Sequence, residues 1–420
     1  MAGMVFALVM VLSLSCLGQV RLEATLGWGG VPVLERVNPL WVTVVNPGAG
    51  PLAGTLTVEA EIGSPWRGVA RRALRVPLLL PPGGRGAFTF PWPLRRGTRE
   101  LRLRLTTPAG TVGDAVLPIS PAMEPLTGTV GGAGSGYPLA PGDITDPLLL
   151  HPFGELRVEA PLGPDQEAAL LAWAVYLGGR LTGLPAPTAW PWPEPDGLSR
   201  AFVRLPLPRP PLAPLAISVA AYLLGIGFFL PPAARGRPRP ALIATGVSLC
   251  LALFSQVFYK PLSGPISCIY EFSDSTASGF YLEFSCLTGT GAEWEGEGWW
   301  VELLPLTEAG WAGRDLRWEW GEGGVRTVVP VRPREIRILR RLAPGGPAAG
   351  ETYRWEGELV RVRDGRRGDY TSLISPALEP LWEAIYPQLF PGEELTAAVG
   401  QSRHAGGVEW RLSLEVRRGG

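Results

Sequence analysis

Leu212–Leu230 reads LAPLAISVAAYLLGIGFFL and Ala241–Phe258 reads ALIATGVSLCLALFSQVF, two stretches without a charged residue. At about 1.5 Å per helical residue each spans roughly 27–29 Å, close to a bilayer core of about 30 Å. Between them, residues 231–240 (PPAARGRPRP) carry Arg235, Arg237 and Arg239 and no acid. That is the composition of a short cytoplasmic loop under the positive-inside rule. The expected element is a two-helix membrane hairpin: a transmembrane helix over 212–230, a cytoplasmic loop over 231–240 and a second helix over 241–258. Two helices buried in a soluble core are the alternative; the run lengths and the sharp Pro and Arg boundaries argue against it. Residues 20–211 and 260–420 are then both expected on the outer side of the cytoplasmic (inner) membrane of a two-pass protein, with the lipid bilayer as one partner.

The N-terminus agrees with that orientation. Residues 1–18, MAGMVFALVMVLSLSCLG, are uncharged and apolar with small residues at the end, and read as a signal peptide. Ser13-Leu14-Ser15-Cys16 also resembles a lipoprotein box, and an uncleaved segment would be a third anchor. Each outcome places residues 20–211 outside the cytoplasm.

Residues 20–124 read as short strands. Leu40–Val45 runs into the turn Asn46-Pro47-Gly48, and Gly54–Ala60, Gly86–Phe90 and Leu101–Leu105 alternate apolar and polar residues. Period-2 runs bounded by Pro and Gly turns indicate an antiparallel sandwich. The high content of Gly (55) and Pro (45) fits strands joined by turns. Trp41-Val-Thr-Val-Val-Asn-Pro-Gly48 followed by Gly54-Thr-Leu-Thr-Val58 resembles the opening of immunoglobulin-like modules of bacterial envelope proteins. The many Arg between Arg67 and Arg104 suit a patch for acidic polymers. Alternation accounts for them more simply, because Arg102 and Arg104 lie opposite the face of Leu101, Leu103 and Leu105.

Residues 125–211 form a small α/β segment and a Pro-rich linker. Val130–Gly136 is glycine-rich, but a phosphate cradle needs a helix N-terminus after it, and Tyr137-Pro138 comes next instead. Pro164–Leu177 (PDQEAALLAWAVYL) has Pro at its start, acids in its first turn and Gly178-Gly179 at its end, which predicts a helix. Arg180–Leu184 is the next strand candidate. Ala169-Leu170, Trp173 and Gly178-Gly179-Arg180-Leu181 resemble the helix-to-strand step of amidotransferase-like α/β modules. Such modules occur in uncharacterised bacterial membrane proteins beside an immunoglobulin-like domain and a transmembrane hairpin. The enzymatic relatives use a Cys with a His; this segment has no Cys and only His151, so the resemblance implies a remnant without activity.

Residues 260–420 read as a second β-sandwich domain. Cys268, Tyr270 and Phe272 share one strand face, and Phe280, Leu282, Phe284 and Cys286 share another. Folding about Ala277 sets Cys268 opposite Cys286, and in an oxidising compartment a disulfide is expected. Two free buried thiols are the alternative. Trp294, Trp299, Trp300, Trp311, Trp318 and Trp320 crowd one stretch. They suit either a platform for sugar rings or the packing of short strands. Trp294, Trp299, Trp300, Trp318 and Trp320 are the candidate ligand contacts.

Residues 113–126 (GDAVLPISPAMEPL) match residues 368–381 (GDYTSLISPALEPL) at nine of fourteen positions. The pattern predicts a duplicated strand-to-helix exit.

The expected fold is mainly β with transmembrane α: two extracytoplasmic β-sandwich domains, a small α/β segment and the hairpin. The 38 basic and 38 acidic residues cancel, so no whole-protein field points to nucleic acid. The two histidines, His151 and His404, lie in separate regions, and no Walker loop or paired-Cys metal spacing is present. No catalytic residue, cofactor or metal is expected. The composition points to a non-enzymatic, membrane-anchored extracytoplasmic scaffold or envelope-complex subunit that binds other envelope or membrane proteins. A degenerate amidotransferase-like enzyme and a cell-envelope glycan-binding module using the Trp-rich stretch are the alternatives.

Overall fold

The computed structural model describes residues 20–64, 68–132, 136–184, 189–190, 195–204, 266–277, 279–289, 293–303, 315–321, 323–332, 335–346, 350–374, 376–404 and 407–418. Strands dominate them.

Seven strands come first: β1 (Arg21–Leu26), β2 (Val37–Val45), β3 (Leu52–Ser64), β4 (Gly68–Leu80), β5 (Arg85–Pro93), β6 (Glu100–Thr107) and β7 (Gly110–Pro118). β1, β2 and β5 make one antiparallel sheet, and β4, β3, β6 and β7 are neighbours in another. Alternation sets the faces. Leu56, Val58, Ala60 and Ile62 of β3, Leu74, Val76 and Leu78 of β4 and Leu101, Leu103 and Leu105 of β6 are buried, while the residues between them are largely exposed. The Asn46 side chain fixes the turn after β2, donating to the carbonyls of Gly50 (2.9 Å) and Pro81 (3.0 Å).

The α/β segment holds β8 (Leu126–Val130), β9 (Tyr137–Leu139), β10 (Phe153–Val158) and β11 (Arg180–Thr182) in the order β11-β10-β8-β9, all parallel. Helix α1 (Pro164–Leu177) links β10 to β11 and stops at Gly178, whose φ of 72° is the left-handed cap that glycine adopts without a Cβ clash. A short helix, α2 (Pro195–Arg204), comes after β11. α1 is apolar around its circumference because two cores bury it. Ala172, Val175 and Tyr176 join one; Ala169, Leu170, Trp173, Ala174 and Leu177 join the other.

The remaining strands are β12 (Ile266–Asp274), β13 (Phe280–Thr288), β14 (Glu293–Glu297), β15 (Val301–Leu303), β16 (Leu316–Gly321), β17 (Gly324–Pro330), β18 (Ile336–Pro344), β19 (Glu351–Trp355), β20 (Leu359–Arg361), β21 (Arg367–Gly368), β22 (Glu394–His404) and β23 (Gly407–Arg417). Helices α3 (Tyr370–Leu373) and α4 (Glu379–Ile385) lie between β21 and β22. Nine strands form a sheet in the order β15-β18-β13-β12-β23-β22-β19-β20-β21. β14, β17 and β16 leave that sheet and extend the N-terminal one to β14-β17-β16-β4-β3-β6-β7. The junction is a parallel pairing of Leu316–Glu319 with Arg72–Arg75.

Several expectations are corrected. Residues 260–420 are not a self-contained second sandwich, because three of their strands complete the sheet of the first region. The two-helix membrane hairpin is not supported: among the described residues no helix is long and apolar enough to cross a membrane. α1, at 14 residues, reaches about 21 Å and owes its apolar surface to contact with sheets rather than lipid. The hairpin stretches 212–230 and 241–258, the loop 231–240 and the signal segment 1–18 lie outside the described residues. The two-pass inner-membrane localisation is withdrawn with the hairpin. The internal match is not a duplicated exit either. Residues 113–118 end β7 and residue 126 opens β8, whereas 370–373 and 379–385 are helical.

Candidate functional site

β12 and β13 pair antiparallel with Cys268 directly opposite Cys286, and both side chains are fully buried. The thiols are free, so the expected disulfide is absent. Burial disfavours the thiolate of each. It pushes Cys268 up to about 12, and burial together with the neighbouring Cys268 raises Cys286 well above the usual thiol range. The thiolate that would form the bond is scarce in such surroundings.

The Trp-rich stretch is a seam rather than an open platform. Trp294 (6% exposed), Trp300 (2%) and Trp318 (0%) are core residues, Trp299 is half-buried and Trp320 is 40% exposed. Trp311 lies outside the described residues. Trp318 packs on Trp92 of β5 at 5.6 Å and on Trp299 at 5.9 Å, and Trp320 meets Phe90 edge-on at 5.7 Å. Indole N–H groups are satisfied within the seam: Trp318 donates to the Trp300 carbonyl (3.1 Å) and Trp300 to that of Glu297 (2.9 Å).

Behind the aromatics lies a buried ion triad. Glu302 of β15 accepts from Arg72 of β4 at 2.8 Å and from Arg337 of β18 at 2.9 Å, and all three side chains are at most 4% exposed. Burial works to raise Glu302, but the two guanidiniums outweigh it and hold the carboxyl below its ordinary value. Alternation explains why Arg72 is inside. It occupies the inward phase of β4, between Ala70 and Leu74, where an apolar residue is the rule. The triad went unforeseen in the sequence, where the available signal was an Arg in phase with an apolar stripe.

A second cationic group sits where the α/β segment, the β2–β5 sheet and β18 meet. Val37 N–H donates to His151 Nδ1 (3.0 Å), and Arg36 Nη1 donates to the carbonyls of His151 (2.8 Å) and Phe153 (3.4 Å). Burial first, then Arg340, Arg36 and Arg95, push His151 well below the usual imidazole range. His151 lies in the turn before β10, and His404 is on β22, far along the chain. Arg95 pairs with Glu35 at 2.7 Å and also donates to the Glu302 carbonyl.

Two carboxylates also face each other across β12 and β13, Glu271 opposite Glu283. Glu271 takes Arg411 (3.0 Å) and the Ser413 hydroxyl (2.5 Å), and Glu283 takes Arg341. With 2% and 0% exposure, each carboxylate is buried and held by an arginine.

Exposed aromatics gather elsewhere, on a shelf built by β19, α4 and the turn after it. Trp355 meets Trp382 at 5.5 Å, and Trp382 stacks on Tyr386 at 5.9 Å with 22° between planes. Tyr386 is 50% and Phe390 63% exposed. The Phe390 loop is tied to the shelf by Gly392 N–H donating to the Trp355 carbonyl (2.7 Å) and Trp355 N–H to that of Glu393 (2.8 Å). Gly392 has φ 96°, which lets the loop turn back.

No family model and no curated protein matches the chain. Among solved structures, an alkylpurine DNA glycosylase, AlkC, of Pseudomonas fluorescens overlaps 24% of this chain and 31% of its own at 12% identity, TM-score 0.19. A β-glucuronidase of Bacteroides uniformis overlaps 44% and 25% at 14% identity, TM-score 0.18. The putative ApaA protein of Bordetella pertussis overlaps 25% and 97% at 18% identity, TM-score 0.17. This chain spans less than a third of the glycosylase and of the glucuronidase, and at such TM-scores none of these likenesses bears on fold or function.

Proposed function

We propose that the protein is a non-enzymatic scaffold that binds another protein through the Trp355–Trp382–Tyr386–Phe390 shelf. The observation that carries this reading is the exposure of two large aromatic side chains, Tyr386 and Phe390, beside two half-buried Trp. Contiguous exposed apolar surface marks interaction sites, and Tyr and Trp dominate the energetic centres of protein interfaces. The backing is rigid: Leu381 and Ile385 of α4 are buried in the core that also holds α1 and α2.

Capture on immobilised wild-type protein, beside a Tyr386→Ala/Phe390→Ser variant, tests the reading. A protein retained by the wild type and lost by the variant, and then bound by purified wild type in calorimetry, supports it. Equal retention by both proteins overturns it. Stacked Trp382 and Tyr386 also suit a sugar ring, the second reading; retention on cell-wall polysaccharide that Tyr386→Ala abolishes selects it.

A further inference from the structure

We infer that the aromatic shelf takes a proline-rich segment of a partner protein, one that carries an arginine. This names the occupant of the shelf and rests on its reading as a protein-binding surface.

The rings set the shape of the occupant. Trp382 of α4 meets Trp355 of β19 at 5.5 Å with 68° between planes and stacks on Tyr386 at 5.9 Å. Trp355 and Trp382 thus make a corner, and Tyr386 and Phe390 add exposed aromatic surface beyond it. The row is stepped rather than a single flat plate, which suits an irregular apolar chain better than a sugar ring.

The polar groups set its chemistry. Neither the Trp355 indole N–H nor the Tyr386 hydroxyl makes a hydrogen bond among the described residues, so both can donate to a ligand. Glu383 is exposed on α4, next to Trp382 and three residues before Tyr386, where helix side chains are neighbours. It forms no ion pair among the described residues. The other charges around the shelf are engaged. Arg354 pairs with Glu394 (3.4 Å), Arg367 with Glu356 (3.0 Å) and Glu358 (3.2 Å), and Glu393 accepts from the Phe390 N–H (2.9 Å).

The occupant must therefore bring apolar surface, carbonyl oxygens and a cation. Strand addition is closed here, because β19 is already paired on both sides, by β22 and β20. An α-helix engages its carbonyls in its own ladder. A polyproline II segment has no internal hydrogen bonds, lays proline rings on aromatic side chains and arrives preordered, so it loses little entropy on docking. An arginine within it pairs with Glu383 and lies over the Tyr386 ring.

The test titrates the full chain into a fluorescein-labelled synthetic peptide of three Pro-Pro-Arg repeats and reads anisotropy. A peptide of three Gly-Ser-Arg repeats, equal in charge but flexible, is the control. Saturable binding of the first peptide only is expected, with roughly tenfold weaker binding by Tyr386→Ala. Glu383→Gln is expected to bind more weakly and with a shallower dependence on sodium chloride. Both side chains are exposed, so both variants keep the fold, which circular dichroism checks. Absence of saturable binding by the wild type overturns the proposal. Equal binding of the two peptides, or binding unchanged in both variants, overturns it as well. Protein capture that depends on Tyr386 and Phe390 still stands in those cases, so failure of the occupant is told apart from failure of the shelf.

Discussion

Arg72 of β4 and Glu302 of β15 stand 230 positions apart in the chain and meet at 2.8 Å in the interior. Removing the acid strands two guanidiniums, Arg72 and Arg337, without their shared partner. Breaking a buried pair in this way costs about 3–5 kcal/mol. Glu302→Ala is expected to lower the urea midpoint accordingly, while Glu61→Ala, whose pair with Arg71 is exposed at 3.7 Å, stays within about 0.5 kcal/mol.

The same carboxyl predicts a pH dependence. Its folded pKa is depressed below the ordinary value of 4.5, so the folded state binds its proton less readily than the unfolded chain. Its contribution to stability is therefore complete above about 4.5 and is lost as pH falls through the folded value. Unfolding free energies measured from neutral to acid pH should show a loss below pH ~4.5 that is smaller in Glu302→Gln. Parallel curves for the two proteins contradict the assignment.

The tryptophan seam separates two neighbours on one strand. Trp318 is fully buried and Trp320 is 40% exposed. Trp318→Ala should cost about 3–5 kcal/mol through the cavity it leaves, and Trp320→Ala about 1 kcal/mol or less. Chemical denaturation followed by circular dichroism compares them; similar losses mean that the seam is not packed as described.

Cys268 and Cys286 should resist alkylation at pH 8 in native protein and react once unfolded, because burial keeps both as thiols. Mass mapping of iodoacetamide adducts before and after denaturation reads this directly. Rapid labelling of either residue in the folded protein disproves the burial argument.

Some of the fold is legible in the residues. Pro164 and Gly178-Gly179 bracket α1 because both ends carry local signals. The strand faces of Cys268 and Cys286 disclose their register, since period 2 and one turn suffice to align a hairpin. A distant partner is beyond the reach of local pattern. Nothing in Arg72–Arg75 names Leu316–Glu319 as the next strand, and a Trp-rich stretch looks alike whether it faces sugar or Phe90. The matched segments show it most sharply. Ile119 packs against the sandwich core and Ile374 lies in the core of the nine-stranded sheet, so the same residue of the match meets different surroundings. The shelf is invisible to local pattern for the same reason: Trp355 comes from β19, a segment apart from Trp382 and Tyr386 of α4 and its C-terminal cap.

The parallel pairing of β16 with β4 sets an order of events during synthesis. When β4 leaves the ribosome its outer edge is bare, and Arg72 has no acid to meet until β15 arrives. An unpaired edge of that length is a template for strands of other chains. The nascent N-terminal half is thus expected to be the aggregation-sensitive intermediate until residues 316–319 cover the Arg72–Arg75 part of that edge.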